Sequence, residues 1–143
     1  MLSTNIKERL EKIQKLLERL ATESAKGIPI IVEGPNDEKA LREIGITGEI
    51  ISAKTFKSFI HIVSAIEELG QKEVILLMDF DRRGKEWTKR LMQNLERIRI
   101  KPNMLFWNGL LNFAGREIKD IEGLASYMKT LEKKSGLNNA SSC

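Results

Sequence analysis

The sequence predicts an α/β protein in which a parallel sheet carries helices on both faces. Two observations lead there. The runs Pro29-Ile30-Ile31-Val32 and Val74-Ile75-Leu76-Leu77-Met78 are short, apolar and free of apolar–polar alternation, so they read as strands buried on both sides. Strand-like runs also alternate with helical stripes, turns lying between them, the pattern of strand–helix–strand units. Such units place the loops that follow the strands on one edge of the sheet, where α/β proteins bind their ligands.

The chain opens with an amphipathic helix. Asn5 and Glu8 resemble a capping box, and Ile6, Leu10, Ile13, Leu17 and Leu20 follow at spacings of four and three with charges between them. The helix is expected to end near Lys26-Gly27. Its stripe suits packing on its own domain, and it also suits a short coiled coil, hence a homodimer or a protein partner. Pro29 to Glu33 reads as the first strand, and Glu33-Gly34-Pro35-Asn36-Asp37 as the turn after it. Ala40, Leu41 and Ile44 mark a helix stopped by Gly45. Glu49 to Ala53 is a second strand. Phe59, Ile62, Val63, Ile66 and Leu69 give a helical stripe ended by Gly70, and Val74 to Asp79 is the third strand. Trp87, Leu91, Leu95 and Ile98 line the next helix, which Pro102 breaks. Met104 to Trp107 reads as a fourth strand and Asn108 to Lys119 as a loop. Ile121, Leu124, Ala125, Met128 and Leu131 line a last helix, followed by a frayed polar tail from Asn138 to Ser142. The expected units are the helix over 1–27, an α/β domain over 28–134 and the tail over 135–143.

Composition sets bounds on function. The 143 residues form most simply one domain, 41% apolar and 31% charged, with a formal net charge of +4 that permits nucleic-acid binding without establishing it. The single cysteine, Cys143, rules out an intramolecular disulfide, and no apolar run approaches membrane length, so a cytoplasmic protein without membrane contact is expected.

The chemistry gathers after the strands. Asp79 and Asp81 end the third strand one residue apart, and alternation in an extended chain would send both to one side. Carboxylates at close range repel unless a cation or a proton lies between them, and Mg²⁺ suits an all-oxygen set. Glu33 ends an apolar strand, where an unpaired charge is costly, and it can join the metal site or act as general acid or base. Asp37 in the first helical turn also suits the helix dipole. Gly34 and Gly84 sit in the turns. Arg82, Arg83 and Lys85, with Lys89 and Arg90, follow the aspartates, and Lys119 precedes Asp120 and Glu122. Acids that hold a cation beside basic groups are the arrangement a phosphodiester requires. His61 and Tyr127 read as structural and Cys143 as inert. Trp87 reads as core, and Trp107 is the more open candidate for base stacking.

Val32-Glu33-Gly34, Asp37 shortly after, and Asp79-x-Asp81-x-x-Gly84 about 46 residues on resemble the Toprim domain shared by topoisomerases, bacterial-type primases, OLD-family nucleases, RecR and small maturation ribonucleases. The resemblance spans about Ile28 to Leu131. It implies a Rossmann-like three-layer fold with a four-stranded, mainly parallel sheet, preceded here by the first helix. It also implies Glu33 as general acid or base, Mg²⁺ (Mn²⁺ as a substitute) on Asp79 and Asp81, and loops shaped by Gly34 and Gly84. Lys119-Asp120 is similar to the late Lys-Asp of primase-like Toprim domains, making Asp120 a further metal candidate. In plan the chain is similar to stand-alone ribonucleases that mature 5S ribosomal RNA. The expectation is a Mg²⁺-dependent nuclease acting on RNA or DNA. The alternatives are primase-like nucleotidyl transfer, a non-catalytic module of a nucleic-acid-processing assembly and, more remotely, a phosphoacceptor receiver domain using Glu33, Asp79 and Lys119.

Overall fold

The computed structural model describes residues 2–136. Helix α1 (Leu2–Ala25) leads into strand β1 (Ile30–Val32), helix α2 (Pro35–Glu43), strand β2 (Ile50–Ser52) and a 3₁₀ turn at Ala53–Thr55. Helix α3 (Phe59–Glu68), strand β3 (Glu73–Leu77), helix α4 (Arg82–Arg97), strand β4 (Lys101–Asn103) and helices α5 (Leu105–Ala114) and α6 (Leu124–Ser135) complete the chain. The four strands form one sheet in the order β2-β1-β3-β4, and every pairing is parallel.

Strand alternation sorts the apolar residues into two layers. Ile30, Val32, Ile50, Ile75 and Leu77 face one way, into a core shared with α1, α2, α5 and α6. Ile31, Ile51, Val74, Leu76 and Met78 face the other way, against α3 and α4. Both faces are covered, and for that reason the strands are apolar throughout.

The first helix is part of this core. Leu10, Ile13, Leu17 and Leu20 are buried against α5 and α6. The approach to α5 is close, since a Cβ at Gly109 would collide with the Leu16 side chain. Arg9 donates a hydrogen bond to the Tyr127 hydroxyl (3.2 Å), tying α1 to α6. The stripe is therefore covered by its own chain and is not free to form a coiled coil or to receive a partner. The helix also runs through Asn5 rather than starting there, so the expected cap box is not formed. It ends as expected at Gly27, whose φ of +103° suits glycine.

The region after α4 differs from the sequence reading. The fourth strand is Lys101–Asn103, not Met104–Trp107, and the segment read as a loop over 108–119 is mostly helix α5. Helix α4 ends at Arg97, before Pro102 and with Arg99 at φ +62°, and Pro102 instead lies within β4, which a proline can do because β4 is an edge strand. The Asn103 side chain accepts a hydrogen bond from the Leu105 amide (3.0 Å), turning the chain into α5. The four apolar residues that imitate a strand bury Phe106 and Trp107, and the helix continues with Leu110 and Ala114. The last helix starts at Leu124, with Ile121 buried in the loop before it. The polar tail lies outside the described residues. Among those residues no helix is long and apolar enough to cross a membrane.

Because Leu20 has no exposed surface, Leu20→Ala should lower unfolding stability by about 2–5 kcal/mol, read as a shifted urea midpoint. An unchanged midpoint would mean that the stripe does not contribute to the core.

Candidate metal centre

Strands β1 and β3 are adjacent and in register, with Val32 opposite Leu77. The next residues leave the sheet at its C-terminal edge, Glu33 directly and Asp79 after Met78. Glu33 is only 7% exposed and Asp79 is half-buried. Their carboxyls lie within hydrogen-bond reach of each other. Glu33 Oε1 and Asp79 Oδ1 are buried and receive no hydrogen bond from any amide, hydroxyl or cationic group of the protein. Among the described residues no lysine or arginine forms an ion pair with either one. The Asp79 carboxyl is pushed up to about 8, by burial first, then by its hydrogen bond to Glu33 and the charge of Glu33, and further by the charges of Asp120 and Asp81.

The surrounding loops hold this pair in place. Gly34 is the N-cap of α2, and its amide donates to Asp37 Oδ2 (3.0 Å). Asp37, 6% exposed, accepts a second bond at Oδ1 from the Glu122 amide (2.8 Å), linking α2 to the α5–α6 loop. Burial raises the pKa of Asp37 above its ordinary value, the hydrogen bonds from Glu122 and Gly34 pull it back, and the charges of Asp79 and Asp120 push it up. The Phe80 amide donates to the Lys119 carbonyl (2.7 Å), and the Gly123 amide donates to Asp120 Oδ1 (2.9 Å).

Asp81 is not placed as strand alternation suggests. The strand stops at Leu77, and Asp81 caps α4, its Oδ1 accepting from the Gly84 amide (2.7 Å) while its side chain stays at the exposed rim. Gly84 packs so closely on the Asp79 carbonyl that a Cβ there would collide with it. Gly34, with φ of −144°, adopts extended backbone open to any residue, and a Cβ there would meet the Lys54 side chain at 3.4 Å and Asp37 Oδ2 at 4.0 Å, ordinary contacts.

All the acids named from the sequence come to one edge. Asp37, Asp120 and Glu122 each offer an oxygen within 4.8 Å of the others. These three offer carboxylates alone, a donor set that suits a hard divalent cation, whereas the two buried oxygens that lack a donor belong to the neighbouring pair, Glu33 and Asp79. Arg83 lines a cleft beside Glu33, while Arg82 pairs with Glu86 (3.5 Å) in solvent. Lys85 and Lys119 are exposed. Trp107 is not open for stacking, being 8% exposed with its indole N–H donating to the Met78 carbonyl (2.9 Å). His61 sits in the first turn of α3, 2.6 Å from the Ser58 hydroxyl. Sequence reasoning that follows the acids passes over the loop after β2. There Lys54 and Lys57 reach the same edge, and the strand-end rule alone would have found them.

Comparison with known proteins agrees with this geometry. Residues 28–106 match the Toprim domain. A UPF0292 protein of Methanosarcina acetivorans is 38% identical over 92% of this chain and 90% of its own length. One from Methanocaldococcus jannaschii is 38% identical over 85% of this chain and 93% of its own. Among solved structures, a protein from Aquifex aeolicus is similar, with a TM-score of 0.64 and 28% identity over 76% of this chain and 94% of that one.

The raised pKa of Asp79 makes stability depend on pH. Unfolding returns the group to about its ordinary value of 3.8, so between there and about 8 the folded protein binds the extra proton. The stability of metal-free protein should therefore fall as pH rises through that window. Thermal melts of the parent and of Asp79→Asn across pH 4 to 8 check this, on an axis set by that shift. The parent should lose more stability than the variant, and parallel curves would contradict the account.

Proposed function

The chain belongs to the Toprim domain family, whose domains bind divalent metals and serve nucleic-acid chemistry, and from that premise we propose that it is a Mg²⁺-dependent nuclease. The observation that supports this most is the pair of buried carboxylate oxygens on Glu33 and Asp79 that no protein donor satisfies. An orphaned buried acid costs stability, and a site that keeps two of them is a candidate for function.

Asp79, Asp81 and Glu33 would hold the ion, with Asp120 as a further ligand from the opposite loop. Bound there, Mg²⁺ or Mn²⁺ would supply Lewis-acid polarisation of a phosphate oxygen. Glu33 takes the proton of the attacking water or returns one to the leaving oxygen, a task suited to a carboxyl held rigidly at a strand end. Arg82, Arg83, Lys85 and Lys119 surround the acids and bind the backbone phosphates of RNA or DNA. The reading of the chain as a non-catalytic assembly module rests on its small size and its amphipathic first helix, and the burial of Leu10, Ile13, Leu17 and Leu20 removes the second of these grounds.

The test is incubation with labelled structured RNA, single-stranded DNA and duplex DNA in Mg²⁺, Mn²⁺ or chelator. Cleavage should require the metal and disappear in Asp79→Asn/Asp81→Asn. Glu33→Gln should lower the rate about 10²–10⁴-fold while the protein stays folded, as expected on losing a general acid–base group. Full activity in Glu33→Gln would refute its assigned role. Salt-sensitive binding without cleavage, unchanged in the double aspartate variant, would refute the nuclease.

A further inference from the structure

We propose that the cleft on the β2 side of Glu33 is a subsite for one unpaired nucleotide, its phosphate held by Lys54, Lys57 and Arg83 and its base set against Phe56 and Trp87. The ligand class rests on the phosphodiester reading above. The location and chemistry of the cleft stand apart from it.

The cleft has a volume of about 260 Å³ and opens between the 3₁₀ turn after β2, the start of α3 and the start of α4. Its inner end is Glu33, more than nine-tenths buried, with Oε1 unpartnered. Its floor is apolar, formed by Ala53, Ile62 and Met78. Three cations converge on it from two separate elements, Lys54 and Lys57 after β2 and Arg83 in the first turn of α4. Among the described residues none of the three has an ion-pair partner. Unpaired cations facing one small cavity favour a multiply charged anion there, most simply a phosphate.

The mouth of the cleft is held in shape. The Lys54 amide donates to the Glu33 carbonyl (2.9 Å), fixing the turn against the strand end that carries the acid. The Thr55 hydroxyl donates to the Ser52 carbonyl (2.7 Å), and the Phe56 amide donates to the Ala53 carbonyl (3.1 Å). The Lys54 side chain lies over Gly34, which leaves it room. On the far wall Trp87 is braced by Phe59, 5.5 Å between ring centres, and by Arg90, whose guanidinium lies 5.9 Å from the Trp87 ring centre and 4.3 Å from that of Phe59.

A bare phosphate would have no use for the apolar floor or the aromatic walls, and an uncharged base would have none for the three cations. A nucleotide uses both. The volume lies just below the usual ~300–1,000 Å³ of small-molecule sites, so it admits one nucleotide and excludes a base pair. The strand must therefore be single, or frayed, next to the phosphate that Glu33 and Asp79 face.

The experiment uses the full chain in chelator, so no turnover enters. Adenosine 5′-monophosphate, ribose 5-phosphate and inorganic phosphate are titrated while tryptophan fluorescence is followed. Trp87 lines the cleft and should report binding, Trp107 is buried elsewhere, and Trp87→Phe should abolish the signal. The nucleotide should bind about ten-fold more tightly than either of the other two, the scale of one stacked base. Lys54→Ala/Lys57→Ala and, separately on another helix, Arg83→Ala should each weaken nucleotide binding about ten-fold with unchanged circular dichroism, as for loss of charge-assisted phosphate contacts. Equal affinity for nucleotide and phosphate, or parental affinity in both variants, overturns the subsite. If cleavage depends on Asp79 and Asp81 but nucleotide binding ignores the cations, the subsite fails alone. If the nucleotide binds as stated and cleavage ignores the aspartates, the nuclease reading fails and the subsite stands.

Discussion

The carboxyls of Glu33 and Asp79 meet just past the ends of two adjacent parallel strands, Glu33 buried and Asp79 half-buried, and among the described residues neither has a cationic partner. Two such groups cannot both be charged there at low cost. Burial and the neighbouring Glu33 carboxyl push the Asp79 carboxyl up to about 8, which favours its protonated form below that pH. The register of β1 with β3 brings them together, and both strands are buried on both faces. The fold thus commits two acids to one position, where a divalent cation could replace the proton.

The rest of the edge is organised around that commitment. Asp37 ties the start of α2 to the α5–α6 loop through two backbone amides, bringing Asp120 and Glu122 towards the pair. The Phe80 amide and the Met78 carbonyl are bonded to Lys119 and to the Trp107 indole, so the segment that carries Asp79 is fixed from two sides. Trp107 therefore contributes by holding a backbone carbonyl, although its indole could in principle have stacked on a base. Helix α1 serves the same end at a distance, because it covers the outer side of α5 and α6.

Much of this was legible in the sequence. The sheet and its parallel sense follow from buried apolar runs that alternate with helical stripes, and the strand-end rule brings Glu33, Asp37 and Asp79 to one edge, whereas Asp120 reaches it from the loop between α5 and α6 rather than from a strand end. What was not legible has identifiable causes. Met104-Leu105-Phe106-Trp107 has no periodicity within four residues, so strand and helix could not be told apart, and the deciding signal was the side chain of Asn103. Pro102 argues against a strand until the strand is known to lie at an edge. Asp81 looked equivalent to Asp79, yet the chain leaves the strand two residues earlier and spends one Asp81 oxygen on capping α4. The partition of the first helix between core and partner surface required the positions of α5 and α6, one of which the periodicity did not reveal.

The most direct test is calorimetric titration of Mn²⁺ into metal-free protein near neutral pH, repeated in buffers of different ionisation enthalpy. If a cation takes the place of the proton between Glu33 and Asp79, binding should release close to one proton, about the amount a carboxyl pushed up to about 8 still holds there. The release should be absent in Asp79→Asn. Binding without proton release, or no binding at all, would contradict the account of this edge as a metal centre built on that pair.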